Sequence, residues 1–237
     1  MKLSKIILIT FLAIVLILLN PLPSFASSVY TNGTNINLRA KPTTKSKALT
    51  QIKKKNTKLT VVTFSDTWTR VKYGNYTGFI RSDLVKLPNA TVRKNSFYNT
   101  AFDCHEYLRT WRFSYSVSFT KKVPLDTVTV DNRYVDCSSY VSWALYEYGY
   151  TDFKGAQHTS RDFINIAKNL KNNGKNSKYY DDFKLVSKDN LKKGDILLYD
   201  GHVQIYAGGK NNVLNCGSDD SIRDTDNISL GSAEAKH

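Results

Sequence analysis

The side chains with the most specific chemistry in this sequence are its thiols and imidazoles. The chain has 237 residues, with three cysteines (Cys104, Cys137 and Cys216) and four histidines. Because the number of cysteines is odd, they cannot all pair within the chain, so at least one thiol is free or pairs with another molecule. Cys104 and Cys216 could form a bridge or remain two buried thiols. The position of Cys137 suggests a chemical role.

Cys137 directly precedes an apolar pattern with helical spacing. In "VDCSSYVSWALYEYG", Asp136 is suited to cap the helix N-terminus, and Gly149 is suited to end the helix. Cys137 would then lie in the first turn, where the helix dipole favours a thiolate and lowers the thiol pKa. A thiolate is a nucleophile for acyl transfer. The alternative is a small buried side chain, which describes most free cysteines.

A cysteine nucleophile requires a base, and His202 is the best placed histidine. It follows Asp200-Gly201, a strong hairpin signal, and opens the strand "HVQIYAGG". Asn215 lies after the next turn and could orient the imidazole, as the third member of a Cys-His-Asn site does. The length of that turn is ambiguous, so the sequence leaves open whether His202 and Asn215 share a face. His105 and His158 show no comparable pattern.

The segments around these residues predict an α+β domain over residues 97–237. A second helix is expected in "TSRDFINIAKNLKNNG", followed by the strands of "KKGDILLYDGHVQIYAGG" and "NNVLNCGS". Helices followed by an antiparallel sheet are typical of the α+β class.

Residues 29–87 predict a separate, small β-barrel. This region has short alternating strands, and Gly74-Asn75 predicts a tight hairpin between two of them. Trp68, Tyr73 and Phe79 are expected to belong to the barrel core. Residues 88–96, "PNATVRKNS", are interpreted as a linker between the two domains.

The first 26 residues predict export. Lys2 and Lys5 precede the apolar run "IILITFLAIVLILL", and Ser24 and Ala26 suit a cleavage site, as in a secretory signal peptide. Cleavage would leave no stable membrane anchor. The formal net charge of +14 favours contact with polyanions, including nucleic acid, anionic lipid and an anionic cell wall. Charge alone does not choose among them.

Two family resemblances bring these features together. "NLRAKP", "WTRVKY" and "GFI" within residues 29–87 resemble a bacterial SH3 (SH3b) domain, whose members usually bind cell-wall peptides or glycans. "DCSSYVSW", "GDIL" and "GHVQIYAG" resemble the NlpC/P60 family of papain-like cell-wall peptidases. This resemblance implies Cys137 as nucleophile, His202 as general base and acid, and Asn215 as third member. The family's tyrosine shortly before the cysteine is missing, and Tyr115 is the candidate replacement. We expect Asp136, Ser138 and Ser139 to join it in binding substrate.

The resemblances imply a secreted, wall-associated peptidoglycan hydrolase that needs no metal or other cofactor. Its reaction would be cleavage of a stem-peptide amide, commonly between D-γ-glutamate and the diamino acid. The alternatives are an amidase or transpeptidase on the same scaffold, or a non-catalytic wall-binding protein. Nucleic acid is not an expected partner, because no basic-aromatic motif accompanies the charge.

Overall fold

The computed structural model describes residues 28–63, 65–117, 130–155, 158–209, 212–217 and 229–232. The predicted signal peptide lies outside these residues. Within these ranges, no helix combines the length and the apolar character that crossing a lipid bilayer requires.

The N-terminal part is an antiparallel sheet of seven strands around one apolar core. Its strands are β1 (Ser28–Thr31), β2 (Ile36–Arg39), β3 (Ala48–Ile52), β4 (Lys58–Thr63), β5 (Trp68–Tyr73), β6 (Tyr76–Arg81) and β7 (Val85–Lys86). They lie in the order β3-β2-β6-β5-β4-β1-β7. The predicted Gly74-Asn75 hairpin is present, with Tyr73 paired to Tyr76. Alternate side chains of the strands point inward and form the core, among them Val29, Leu38, Leu59, Val71 and Ile80.

The segment between the two parts has no helix or strand, as expected of a linker, but it is fastened to the C-terminal part. The Tyr107 hydroxyl donates a 2.8 Å hydrogen bond to the Pro88 carbonyl. The Arg93 guanidinium forms an ion pair of 2.8 Å with Asp103. These contacts hold the segment against the first helix of the C-terminal part.

The C-terminal part packs three helices against an antiparallel sheet, which confirms the predicted α+β class. The helices are α1 (Phe97–Thr110), α2 (Cys137–Tyr148) and α3 (Ser160–Asn173). The strands are β8 (Ser114–Tyr115), β9 (Tyr134–Val135), β10 (Phe183–Val186), β11 (Ile196–Tyr199), β12 (His202–Gly208), β13 (Asn212–Leu214) and β14 (Ser229–Ser232). The larger sheet has the order β10-β14-β11-β12-β13, while β8 and β9 form a separate parallel pair.

The two helices predicted from the sequence begin and end as expected. Asp136 caps α2, and Gly149 follows it with a φ of 139°, a backbone conformation that glycine tolerates. Thr159 caps α3, and its side chain accepts a hydrogen bond from the Asp162 backbone. Helix α1 was not foreseen, although it contributes Ala101, Cys104 and Leu108 to the core.

The hairpin of β11 and β12 is the rigid centre of the C-terminal sheet. All four residues of β11 are buried, because helices cover this part of the sheet. The strands pair from Ile196 with Ile205 to Tyr199 with His202. The Asp200-Gly201 turn therefore fixes His202 at the end of a buried ladder.

Candidate active site

The backbone places Cys137 at the first position of α2. The Asp136 carboxylate accepts hydrogen bonds from the Ser139 backbone N–H at 2.7 Å and from the Ser138 hydroxyl at 3.0 Å. The Ser139 side chain in turn accepts a 2.8 Å bond from the Asp136 backbone. This reciprocal cap satisfies backbone groups that a helix start otherwise leaves unpaired, so it fixes the direction in which Cys137 leaves the helix.

The Cys137 sulfur lies between the helix start, strand β12 and Tyr115. The backbone N–H groups of Val203 and Ser138 and the Tyr115 hydroxyl lie close enough to the sulfur to favour its charged form. Val203 directly follows His202 in β12. The thiol and the predicted base are therefore brought to the same place by two elements that are 65 residues apart in sequence.

His202 and Asn215 border a common space. A methyl group added to Gly217 would lie 3.6 Å from Cε1 of His202 and 3.7 Å from Oδ1 of Asn215. The sequence had left open whether these two side chains share a face, and the structure brings them together. The His202 ring also lies 6.2 Å from the ring of Tyr199, its partner across the hairpin.

The electrostatics of Cys137 differ from the expectation. The helix start was expected to lower the thiol pKa, but burial raises it, because desolvation disfavours the charged thiolate. The nearby Asp136 carboxylate also raises this pKa, while the hydrogen bonds from Val203, Ser138 and Tyr115 lower it without reversing the shift. The Cys137 side chain is therefore a neutral thiol over a wider pH range than an exposed cysteine.

Comparison with known families matches both parts of the chain. Residues 34–86 match the profile of the bacterial SH3 domain, and residues 124–231 match that of the NlpC/P60 family. The chain is a bacterial SH3 domain followed by an NlpC/P60 domain. No protein with curated function matches the sequence significantly.

Among solved structures, the chain is similar to NlpC2 and NlpC1 from Trichomonas vaginalis, each at 16% identity over 86% of this chain. The TM-scores are 0.29 and 0.30, and the matches cover 67% and 64% of those chains. An NlpC/P60 family protein from Bacillus cereus matches at 15% identity with a TM-score of 0.24, over 89% of this chain and 60% of that one. The chain thus spans about two thirds or less of the length of these structures.

Tyr115 is an exposed residue beside Cys137. Strand β8 pairs with β9, with Tyr115 opposite Val135, which places its phenol beside the Cys137 sulfur. The residue is 51% exposed, so its ring is not part of the core. Burial of the hydroxyl, together with the Cys137 and Asp136 charges, raises the pKa of Tyr115 to about 12. The phenol therefore stays protonated and can donate near neutral pH.

Asp136, Ser138 and Ser139 form the cap of helix α2. All three are buried, with at most 6% of the residue exposed, and their side chains bond within the helix cap. This arrangement argues against direct contact between their side chains and a substrate. They position Cys137 instead.

His105 contacts the segment that carries Asn215, which the sequence analysis did not foresee. Its Nε2 lies 3.2 Å from the backbone carbonyl of Asn215, and its ring meets Tyr140 edge-on at 5.9 Å. It thereby ties helix α1 to the segment that carries Asn215. No local pattern could have indicated this contact, because the two residues are 110 positions apart.

The remaining candidate side chains lie in apolar surroundings. Cys104, Cys137 and Cys216 are all free thiols, which excludes the bridge between Cys104 and Cys216 in this structure. Burial raises the pKa of Cys104 and of Cys216 well above that of an exposed thiol. The His158 ring packs 4.5 Å from that of Phe153, and burial lowers its pKa.

The SH3 domain places three aromatic side chains at the edge of its core. Trp68, Tyr73 and Phe79 were expected to be buried, but all three are only partly buried. Trp68 lines an open cleft of about 510 Å³ together with residues of the SH3 domain and Asp131 of the NlpC/P60 domain. This cleft lies at the junction of the two domains.

Proposed function

We propose that the protein is a secreted peptidoglycan hydrolase, a cysteine endopeptidase that cleaves stem-peptide amide bonds. The observation that carries the proposal is the proximity of the Cys137 sulfur to the backbone N–H of Val203, the residue next to His202. Asn215 borders the same space as the His202 ring. A thiol, an imidazole and a carboxamide in this relation are the parts of a Cys-His-Asn acyl-transfer site.

The first half of the reaction forms a thioester. His202 takes the Cys137 proton as the sulfur attacks the amide carbonyl, so the thiolate forms during attack rather than before it. The carbonyl oxygen becomes an oxyanion, and backbone N–H groups at the start of α2 stabilise it. When the carbon–nitrogen bond breaks, His202 gives its proton to the departing amine.

The second half regenerates the thiol. His202 removes a proton from water, and the resulting hydroxide attacks the thioester carbonyl. The carbon–sulfur bond breaks, the sulfur recovers the proton from His202, and a carboxylic acid leaves. Asn215 holds the imidazole orientation throughout. The family resemblance points to the bond between D-γ-glutamate and the diamino acid.

The two domains divide the work between catalysis and attachment. In the proposed organisation, residues 1–26 are a signal peptide, 29–87 a wall-binding SH3 domain, 88–96 the linker and 97–237 the catalytic domain. The partly buried Trp68 and its cleft offer the SH3 domain a surface for wall peptide or glycan. Holding the enzyme on the wall raises the local concentration of substrate.

Digestion of purified peptidoglycan tests this function. The full chain, Cys137→Ser and His202→Ala are compared, with Cys104→Ser as the matched control, because Cys104 is a buried thiol outside the site. We expect the wild type and Cys104→Ser to release muropeptides with a new amino terminus, and the two site variants to release none.

Mass spectrometry of the products separates the alternatives. Fragments cut within the stem peptide support the endopeptidase. Free glycan strands with the whole stem removed would assign an amidase, and amine adducts would assign a transpeptidase. Wall binding by the wild type without any released product would overturn the enzymatic proposal.

A further inference from the structure

A second cleft lies on the NlpC/P60 domain, away from Cys137. It has a volume of about 670 Å³ and is formed by the edge strand β10 and the segment that leads from it to β11. The polar residues that line this basic cleft are Lys184, Ser187, Asn190, Lys192, Lys193 and Asp195. The backbone N–H of Gly194 bonds to the Tyr206 carbonyl, four residues along β12 from His202. At about 3.3 Å per residue, the basic cleft is roughly 13 Å from the proposed base.

The charge of the basic cleft is positive. Its three lysines are exposed, and Asp195 is its single carboxylate. Asp195 is buried, and its Oδ2 accepts a 2.7 Å hydrogen bond from the Lys192 backbone. Burial raises the pKa of Asp195. An anion entering the cleft would therefore meet an excess of ammonium groups.

The wall of the basic cleft is fixed before any ligand arrives. The Lys193 stem packs against Gly208, where an added Cβ would lie only 2.7 Å from the lysine Cε. The Lys193 ammonium lies 5.2 Å from the centre of the Tyr98 ring, in a cation–π contact. The Asp195 carbonyl is anchored by the Tyr206 backbone N–H at 2.8 Å. A fixed ammonium loses less side-chain entropy when it binds an anion.

The remaining polar groups also suit an oxyanion. Asn190 donates a 2.8 Å hydrogen bond to the Ser187 hydroxyl oxygen, which leaves the Ser187 hydroxyl proton to donate elsewhere. Lysine ammonium groups act as point charges toward phosphate and do not demand a bidentate geometry. The three lysine ammonium groups along the cleft can therefore pair with successive charges of a polymer that carries one negative charge per repeat.

We infer that the basic cleft binds an anionic phosphodiester polymer of the cell envelope and holds the NlpC/P60 domain against it. The choice of an envelope polymer rests on the proposed wall location. The cleft itself is independent of catalysis, because none of its residues belongs to the Cys137 site. The protein would then have two anchors, one on each domain.

A binding experiment with matched lysine variants tests this inference. The probe is a synthetic glycerol phosphate oligomer of about ten units, titrated into the full chain at several salt concentrations. The cleft variant is Lys184→Gln/Lys192→Gln/Lys193→Gln. The control, Lys168→Gln/Lys171→Gln/Lys175→Gln, removes the same charge from exposed positions in and just after helix α3.

We expect the cleft variant to bind the oligomer about 30-fold more weakly at 0.1 M salt, with a salt slope reduced by about 2. The control should bind within about threefold of the wild type. Both variants should digest peptidoglycan stripped of phosphate polymer at the wild-type rate, and thermal unfolding confirms that both are folded. Loss of digestion by the wild type itself would reject the proposed function and leave the binding result readable.

Three results would overturn the inference. Equal weakening by the two triple variants would mean that only net charge matters. Competition by inorganic phosphate at the same phosphorus concentration would assign a site for the single ion rather than for a polymer. Tighter cleft-dependent binding of a single-stranded oligonucleotide of equal charge would assign nucleic acid instead.

Discussion

At the scale of single residues, the protonation of Cys137 decides how the site works. The sulfur combines an environment that raises its pKa with three hydrogen-bond donors that lower it. Desolvation wins because the cost of burying a charge exceeds what a few hydrogen bonds return. In the proposed mechanism the thiolate therefore forms only during attack, with His202 as the acceptor of the proton.

Alkylation measures this protonation directly. At pH 7 we expect iodoacetamide to modify Cys137 more slowly than a free cysteine, because a smaller fraction is thiolate. The rate should rise about tenfold per pH unit up to at least pH 9. Cys104 and Cys216 should react more slowly still, since burial raises each pKa well above normal. A plateau below pH 7 would instead show a resting thiolate–imidazolium pair.

The Tyr115 hydroxyl gives a second prediction at this scale. Tyr115→Phe removes a donor that lowers the Cys137 pKa, so alkylation at pH 7.5 should slow about fivefold, the effect of about 1 kcal/mol. The specificity constant kcat/KM for a stem peptide should fall by at least as much. Tyr180→Phe, another exposed tyrosine, is the control. Unchanged alkylation in Tyr115→Phe would remove this hydroxyl from the site.

At the scale of elements, the cap of α2 links stability to reactivity. Helices α2 and α3 both begin with a reciprocal cap, at Asp136 and at Thr159. The α2 cap is more deeply buried. Its loss therefore also leaves the Ser138 hydroxyl and the Ser139 backbone N–H without their acceptor.

Replacing the two caps separates these effects. Thr159→Ala should lower the free energy of unfolding by about 1 kcal/mol, and Asp136→Ala by about 2 kcal/mol, measured by urea denaturation. Only Asp136→Ala should reduce turnover, because only α2 aims the nucleophile. Its Cys137 should nevertheless alkylate faster, since a charge that raises the pKa is gone. Equal losses of turnover in both variants would contradict the positioning role of Asp136.

Much of the fold at this scale could be predicted from local sequence. The caps, the helix-ending glycines and the Asp200-Gly201 turn act on neighbouring residues, so their patterns are readable. Helix α1 was not predicted, although its buried residues lie at helical spacing, because the polar and aromatic residues on its other faces have low helix propensity. Strand β14 inserts between β10 and β11 from far along the chain, and Ser-Leu-Gly-Ser has little strand preference.

For the candidate site, too, the sequence was informative only where a local pattern marks the residue. The sequence singled out Cys137, His202 and Asn215 as candidates because each is adjacent to a readable turn or cap. It misjudged the Cys137 pKa because burial depends on the whole fold, whereas the helix dipole is local. The contact from His105 to Asn215 and the exposure of Tyr115 also depend on packing between distant segments.

At the scale of the whole molecule, Arg133 joins the two domains just before Cys137. It is 7% exposed, and its guanidinium donates to the carbonyls of Val130, Trp111 and Arg112. It also pairs with Asp66 of the SH3 domain at 3.2 Å. The Asp66 side chain is 65% exposed, so solvent screens this ion pair, and the carbonyl contacts contribute more.

Because the carbonyl contacts contribute more than the ion pair, replacing Arg133 should destabilise the protein more than replacing Asp66. Arg133→Gln should lower the free energy of unfolding by about 2–3 kcal/mol, because buried carbonyls lose their donor. Asp66→Asn should lower it by less than about 1 kcal/mol. Asp83→Asn, which breaks an exposed pair within the SH3 domain, should match Asp66→Asn in stability. An Asp66→Asn effect as large as that of Arg133→Gln would refute the ranking.

The attachment of the SH3 domain has a further consequence. Tyr107 forms a hydrogen bond with the linker at Pro88, and Arg133 forms an ion pair with Asp66 of the SH3 domain. A catalytic domain on a flexible linker would sample many positions on the wall. Its cuts would then fall at scattered distances from the site that the SH3 domain binds. Because these two contacts hold the SH3 domain in place, a wall ligand bound to it would be presented to the Cys137 sulfur at one distance and one orientation. We therefore expect the released fragments to have a narrow range of lengths.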